Sequence, residues 1–510
     1  SGWLYLCTTS MIVIVKVVQN EKFEIVAKTF QGLEGVLAEE ITAIGGSDVK
    51  TGCRMVSFTG DKALLYKANL ACRTALRILK PILHFTASNP DEVYDILKQY
   101  DWEQWLSLET TFAIDSVVYS EEFRHSKFVT YRMKDAIVDF FQEKYGKRPS
   151  VRLNNADIQF NLHIYNRSCT LSLDSSGESL HKRGYRESQT EAPINEALAA
   201  GLIMLTGWRG ESDFVDPMCG SGTFLIEAAM IAANIYPGIF RQHFAFEKWK
   251  DFDKDLFEEL YNDDSCEREF NHKIYGSDIS VRATAIAAKN IKSAGVGRYI
   301  ELETKPIQKY ETAPSDHGII VTNPPYGERI SSPDMEGLYE DIGNRLKHVF
   351  KGYTAWILGY KRELFDKIGL KPSAKIPVLN GALECEFRKY EIFDGTYLAY
   401  KQNMATEENN DEKPRTRTSE NRKHFDARPH RTSHKREESD RKGGFGHETA
   451  GRKKSFRGED SERKGGVRRK EEERHKTSNH RSKNYELHTG KDMPKGFRRR
   501  KEQGDDKTKK

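Results

Sequence analysis

Phe214-Val215-Asp216-Pro217-Met218-Cys219-Gly220-Ser221-Gly222-Thr223 is the stretch on which the fold of this sequence turns. Phe214 to Asp216 reads as a short buried strand and Thr223 to Ala233 as an apolar helix, with a glycine-rich turn between them. Glycine lets a backbone approach a ligand closely, and a helix N-terminus presents free N–H groups. No Gly-Lys-Ser/Thr follows, so the turn is not a nucleoside-triphosphate loop, and the third glycine of a dinucleotide fingerprint is absent.

Downstream the βα pattern repeats. Ile274 to Asp278 reads as a strand followed by an alanine-rich helix, Val281 to Ala294. Gly318 to Thr322 and Tyr353 to Gly359 read as further strands. Strands alternating with helices predict a parallel sheet covered on both faces, an α/β domain of Rossmann-like class. Residues 236–273 form a long insertion rich in aromatic and charged residues. Upstream, shorter strands (Phe23 to Lys28, Val56 to Phe58) alternate with helical runs (Lys62 to Leu79, Tyr131 to Tyr145) and predict an α+β region.

The composition divides the chain. Its 510 residues carry 81 Lys+Arg and 76 Asp+Glu, but residues 401–510 hold a net +13 and residues 1–400 a net −8. Only 12 of the last 110 residues are hydrophobic, too few to offset chain entropy, so this tail is expected to be disordered. Its interspersed Arg, Lys, Gly and Phe suit RNA phosphates and bases. The seven cysteines are scattered without a C-x-x-C pair, which excludes a zinc ribbon or disulfide framework and fits a reducing cytoplasm. Met11 to Val18, broken by Lys16, falls far short of the roughly 20 apolar residues of a membrane span. The chain opens on Ser1, and Met11 is expected as the natural start.

Two further positions carry chemistry. Asp278 closes the second strand, where a carboxylate can accept hydrogen bonds from ribose hydroxyls. Asn323-Pro324-Pro325-Tyr326 follows the next strand. Prolines lack N–H donors and leave carbonyls outward, Asn323 adds an acceptor, and Tyr326 adds a flat face. Such a cluster suits an exocyclic aromatic amine that becomes cationic as it attacks an electrophile. Cys219 reads as packing rather than nucleophile.

On these motifs the chain resembles class I S-adenosylmethionine-dependent methyltransferases of the amino-group branch. The resemblance implies that Gly220 and Gly222 flank the cofactor's methionine moiety beside Asp216, with Pro217, Cys219, Ser221 and Thr223 in the same loop. It implies Asp278 for the ribose and Asn323, Pro324, Pro325 and Tyr326 for the target base. Lys305-Pro306-Ile307-Gln308 stands where the family often has an acidic residue, so no adenine contact is assigned.

Leu180-His181-Lys182-Arg183-Gly184-Tyr185-Arg186 with Ala192-Pro193-Ile194-Asn195-Glu196 resembles the lead-in to the catalytic domain of THUMP-containing RNA guanine-N2 methyltransferases, those of bacterial 23S ribosomal RNA above all. The segment from His125 to Pro149 resembles the THUMP domain. The implied organisation is a leader over 1–22, a ferredoxin-like piece over 23–64, THUMP over 65–175, methyltransferase over 176–400 and the basic tail over 401–510. Arg124, His125, Lys127, Arg132, Lys147 and Arg148 are the expected RNA-binding residues, clustered in an otherwise acidic body. His181 is expected to contact phosphate or cofactor rather than to act as a base.

The expected activity is methyl transfer to N2 of a guanine in 23S ribosomal RNA, with no metal and no membrane partner. Transfer-RNA guanine-N2 methylation, adenine-N6 methylation and a non-catalytic RNA-binding role in ribosome assembly stay open, because Asn-Pro-Pro-Tyr serves adenine amines equally.

Overall fold

The computed structural model describes residues 7–8, 11–12, 21–123, 125–153, 155–191, 193–325, 327 and 334–393. The tail from 401, Arg124 and Tyr326 lie outside the described residues. Within the expected leader, Cys7–Thr8 and Met11–Ile12 pair as an antiparallel ribbon.

The N-terminal half is built on one seven-stranded sheet. Along the chain run β1 (Phe23–Lys28), α1 (Glu34–Ala43), β2 (Ser47–Gly52), β3 (Met55–Gly60), α2 (Lys62–Ala71), β4 (Arg77–Thr86), α3 (Pro90–Lys98), β5 (Phe112–Tyr119), α4 (Ser126–Tyr145), β6 (Ile158–Tyr165) and β7 (Ser168–Asp174). The strand order is β2-β3-β1-β4-β7-β6-β5. β4 is the middle strand, pairing Ile78 with Ala27 of β1 and Phe85 with Cys169 of β7. Only β5 and β6 run parallel, joined by the crossover helix α4. Ile25, Ala27, Val56 and Phe58 share a core with Leu37 and Ile41 of α1, and the same core continues through Trp102, Phe112, Ile137 and Phe160.

The apolar run from Lys62 to Leu79 is not one helix. Asp61 caps α2 through the Leu64 N–H at 2.9 Å, and the helix stops at Ala71. The N–H groups of Arg73 and Thr74 then donate to the Glu40 carboxylate (2.7 and 3.0 Å), and Leu76 N–H donates to the Lys28 carbonyl. Tertiary partners thus take the backbone out of the helix and hand it to β4. α4 starts at Ser126, five residues before the expected Tyr131, and stops at Gly146, whose φ of +65° is the left-handed cap glycine permits.

The second half contains α5 (Glu196–Leu205), β8 (Asp213–Asp216), α6 (Thr223–Ala232), α7 (Lys254–Asn262), β9 (Ile274–Asp278), α8 (Val281–Ser293), β10 (Ile300–Thr304), β11 (Gly318–Thr322), α9 (Met335–His348), β12 (Tyr353–Gly359), α10 (Arg362–Lys367), β13 (Ala374–Asn380) and β14 (Leu383–Glu391). Its sheet order is β10-β9-β8-β11-β12-β14-β13. The first five strands are parallel; β14 runs antiparallel to both β12 and β13. The order reverses between β8 and β11, and open α/β sheets bind ligands at the carboxyl ends beside such a switch point.

The insertion after α6 belongs to the other half's core. Phe244, Phe246 and Trp249 are buried there, and Phe246 stacks on Tyr66 of α2 at 4.3 Å. Arg183, almost fully buried, meets Glu227 of α6 at 3.4 Å and donates to the carbonyls of Leu180 and Arg73. Buried charge persists only when paired and hydrogen-bonded, so this junction is specific in geometry.

Candidate active site

The carboxyl ends of β8, β9 and β11 bring the three motifs into direct contact. β8 ends at Asp216, fully buried, whose Oδ1 accepts from Met218 N–H at 3.2 Å and Thr322 Oγ1 at 2.8 Å. Thr322 is the last residue of β11, so this bond ties the glycine turn to the residue preceding Asn323. Burial pushes the Asp216 carboxyl up to about 7, against the bonds from Thr322 and Met218. Asp278, at the end of β9, accepts Gly220 N–H on one oxygen (3.0 Å) and Ser280 N–H on the other (2.9 Å), and it stays half-exposed. Gly220 and Gly222 have φ of +54° and +81°, and a Cβ on Gly222 would stand 3.1 Å from that of Ala287 in α8. Glycine is required there for conformation and for space.

The loop's side chains turn inward. Arg186 donates to Ser221 Oγ (3.0 Å), Thr223 Oγ1 (2.9 Å) and the Ile194 carbonyl (3.2 Å), and pairs with Glu196 at 2.6 Å. Asn290, buried on α8, donates to the carbonyls of Ser188 and Ser221 (both 3.0 Å) and accepts from Glu187 N–H. The segment 186–196 is therefore stitched to the turn, and Thr190 Oγ1 lies 3.9 Å from the place of a Cβ on Gly220. Cys219 is buried, and burial raises its thiol well above the usual value, helped by Asp216 and Asp278. Such a thiol is a poor nucleophile.

Asn323 Oδ1 is buried without a hydrogen-bond partner among the described residues. A buried acceptor left unpaired costs about 1–3 kcal/mol, and it marks a place prepared for a donor. Pro324 is buried and Pro325 half-buried beside it. Ile279, next to Asp278 at the end of β9, is 72% exposed. An exposed apolar side chain adjoining a carboxylate, a glycine turn, and an orphan carbonyl suit S-adenosylmethionine and an amino acceptor together.

Arg186, Asn290 and Ile279 went unassigned in the sequence reading. Asn290 was detectable, being a polar residue on the apolar stripe of Ala283, Ala287 and Ile291. His181 bonds Ser179 Oγ at 2.8 Å, and burial holds its imidazole below the usual range; none of its hydrogen bonds reaches the turn or Asn323.

The expected RNA-binding residues do not form one cluster. His125 and Lys127 lie exposed at the start of α4, and Lys147 and Arg148 lie exposed beyond its end. A helix of 20 residues separates the two groups by about 30 Å. Arg132 is held by Asp91 at 2.9 Å and lies over the Tyr94 ring at 4.2 Å.

Comparison with known proteins agrees with this architecture. The sequence matches an RlmL ferredoxin-like domain over residues 24–79, a THUMP domain over 87–174 and an RMKL-like methyltransferase domain over 183–389. The protein slr0064 of Synechocystis sp., provisionally named an RNA methyltransferase, is 39% identical over 370 residues, covering 72% of this chain and 96% of that protein. The ribosomal RNA large subunit methyltransferase K/L of Syntrophotalea carbinolica is 36% identical, over 72% of this chain and 53% of its own length. The chain thus spans about half the length of the K/L relatives it matches. Among solved structures, SMU.472, a provisionally named methyltransferase complexed with SAH, superimposes with a TM-score of 0.66 and 30% identity, over 74% of this chain and all of that one. Sheet order, glycine turn, Asn-Pro-Pro corner and these matches agree: the chain belongs to the S-adenosylmethionine-dependent, RMKL-like methyltransferases that carry ferredoxin-like and THUMP domains.

Proposed function

We propose that the protein transfers a methyl group to the exocyclic N2 of a guanine in 23S ribosomal RNA. The observation carrying the chemistry is the buried, unpartnered Asn323 Oδ1, linked through Thr322 and Asp216 to the glycine turn. S-adenosylmethionine supplies an electrophilic methyl group on its sulfonium. Gly220 and Gly222 would lie against its methionine part, Asp278 would take the ribose, and Ile279 would offer apolar surface to the purine. The remaining loop residues, Pro217, Cys219, Ser221 and Thr223, shape that cradle.

Asn323 and the carbonyls beside Pro324 and Pro325 accept the hydrogens of the target amine. As the nitrogen leaves conjugation and gains positive charge, these acceptors bind it more strongly than they bind the planar ground state. The base must leave its stack to reach Asn323, at a cost of a few kcal/mol, and Tyr326 supplies the face that receives it. His125, Lys127, Lys147 and Arg148 hold RNA on the THUMP half, and the tail adds charge. The choice of ribosomal RNA is supported by the K/L relatives.

The test is methylation of unmodified 23S and transfer RNA with labelled S-adenosylmethionine, followed by digestion and mass identification of nucleosides. N2-methylguanosine in 23S RNA is expected. N2-methylguanosine confined to transfer RNA would move the substrate, and N6-methyladenosine would refute the assigned base.

A further inference from the structure

The helix that follows Asp278 carries charge that the reaction as described does not use. β9 ends at Asp278, and α8 opens at Val281 with Arg282 in its first turn. Arg282 and Lys289 line an open cleft of about 480 Å³ with Ala285 and Ile286 of the same helix, and Ser188 and Gln189 form the facing wall. That wall is fixed, because the buried Asn290 of α8 accepts from the Ser188 N–H (3.3 Å) and donates to its carbonyl (3.0 Å). Arg282 and Lys289 are both exposed.

Local structure does not explain the pair. A cation in the first turn opposes the helix dipole, and α3, α7 and α9 carry Asp or Glu there instead. Helix cations elsewhere in the fold meet an acid, as Lys98 meets Glu143, Lys254 meets Glu258 and Lys367 meets Glu336. Among the described residues, Arg282 and Lys289 have no hydrogen-bond or ion-pair partner, and α8 itself contains no acidic residue. Two unneutralised like charges on one face of a body whose net charge is −8 call for an anionic partner. The guanidinium fork and the ammonium both suit phosphate oxygens.

Two helical turns separate the two side chains, a rise of about 10 Å, which exceeds the step between neighbouring phosphates of a strand. Each cation therefore meets its own phosphate. In the sheet β8 stands between β9 and β11, so the ends of β9 and β11 lie about 10 Å apart with the glycine turn between them. We infer that Arg282 and Lys289 bind two phosphates of the RNA strand flanking the nucleotide whose base reaches Asn323. The inference rests on the proposed RNA substrate and adds a contact made by the methyltransferase domain itself, beside the cofactor cradle.

The test compares the full chain with two double variants on an unmodified 23S RNA transcript, in binding across salt concentrations and in turnover. One combines Arg282→Gln with Lys289→Gln. The other combines Lys371→Gln with Lys375→Gln, exposed cations just before and within β13, the opposite edge strand of the sheet. The α8 variant is expected to bind S-adenosylmethionine as the wild type does. Its slope of log affinity against log salt should fall by about 1.4–1.8, two phosphate contacts. Its KM for the transcript should rise at least about tenfold. The β13 variant should leave both unchanged. An equal fall in the two variants would reduce the effect to net charge and overturn the site, as would lost cofactor affinity in the α8 variant. An unchanged slope and KM in the α8 variant would overturn the contact and leave the cleft to an acidic protein partner. A wild type whose slope depends on Arg282 and Lys289 yet which forms no N2-methylguanosine would refute the proposed reaction and leave the phosphate contacts standing.

Discussion

In the proposed reaction, Asn323 concentrates the chemistry in a single oxygen. Removing it in Asn323→Ala takes away the acceptor for the growing charge but none of the bonds that shape the cofactor cradle, since those run through Thr322, Asp216 and Asp278. Turnover should fall by at least about a hundredfold, with the cofactor dissociation constant unchanged by calorimetry. Asp216 makes a different prediction. Its carboxyl is raised from 3.8 to about 7 in the fold, so between those values the folded protein keeps a proton that the unfolded chain has lost. Stability from this group is therefore present at low pH and declines as pH rises through about 7. Asp216→Asn keeps the acceptor for Thr322 and has nothing to titrate. In urea unfolding, the variant should gain on the wild type between pH 5 and pH 8. A difference independent of pH would show that Asp216 is charged throughout.

Among the elements, the glycine turn is held from outside. Arg186 and Asn290 clamp it from the preceding segment and from α8, so the loop is set before any ligand arrives. Arg186→Ala should weaken S-adenosylmethionine binding about tenfold while leaving the affinity for RNA unchanged, both read by direct titration. Gly222→Ala places a side chain at φ +81° against Ala287 and should destabilise the domain by about 1–2 kcal/mol in the same unfolding assay. Much of this half was legible, because strand, glycine turn and alanine-rich helix each follow local rules: β8, β9, β11 and β12 lie where hydrophobic pattern and turn residues predicted. What escaped depended on distant partners. The helix expected to reach Leu79 ends at Ala71 because Glu40, over thirty residues earlier, claims the backbone of Arg73 and Thr74. Arg183 and Arg186 sit in a run of basic residues whose partners lie far along the chain: Glu227 meets the buried Arg183, and Ser221 and Thr223 hold the half-buried Arg186. Sequence neighbours do not reveal such pairings.

For the whole molecule, charge and rigidity are divided. The net −8 of residues 1–400 repels RNA at long range, and the net +13 of residues 401–510 attracts it. Removing residues 401–510 should lower RNA affinity and flatten its salt dependence by several units of slope, while kcat at saturating RNA stays the same. Equal slopes with and without those residues would assign RNA capture entirely to the described domains. The N-terminal sheet has the opposite character. Strands on both sides of β4, from the RlmL ferredoxin-like and THUMP regions, form one hydrogen-bonded plate, and Phe244, Phe246 and Trp249 anchor the catalytic half to its core. A plate continuous through its middle strand cannot hinge between its two regions without breaking the ladder. On the proposed function, the N-terminal plate acts as one stiff jaw of a calliper, held to the RNA while the other jaw carries the methyl donor. The enzyme would select its target by the span between a gripped stem and an unpaired base, and inserting or deleting a single base pair in that span would take the base out of reach.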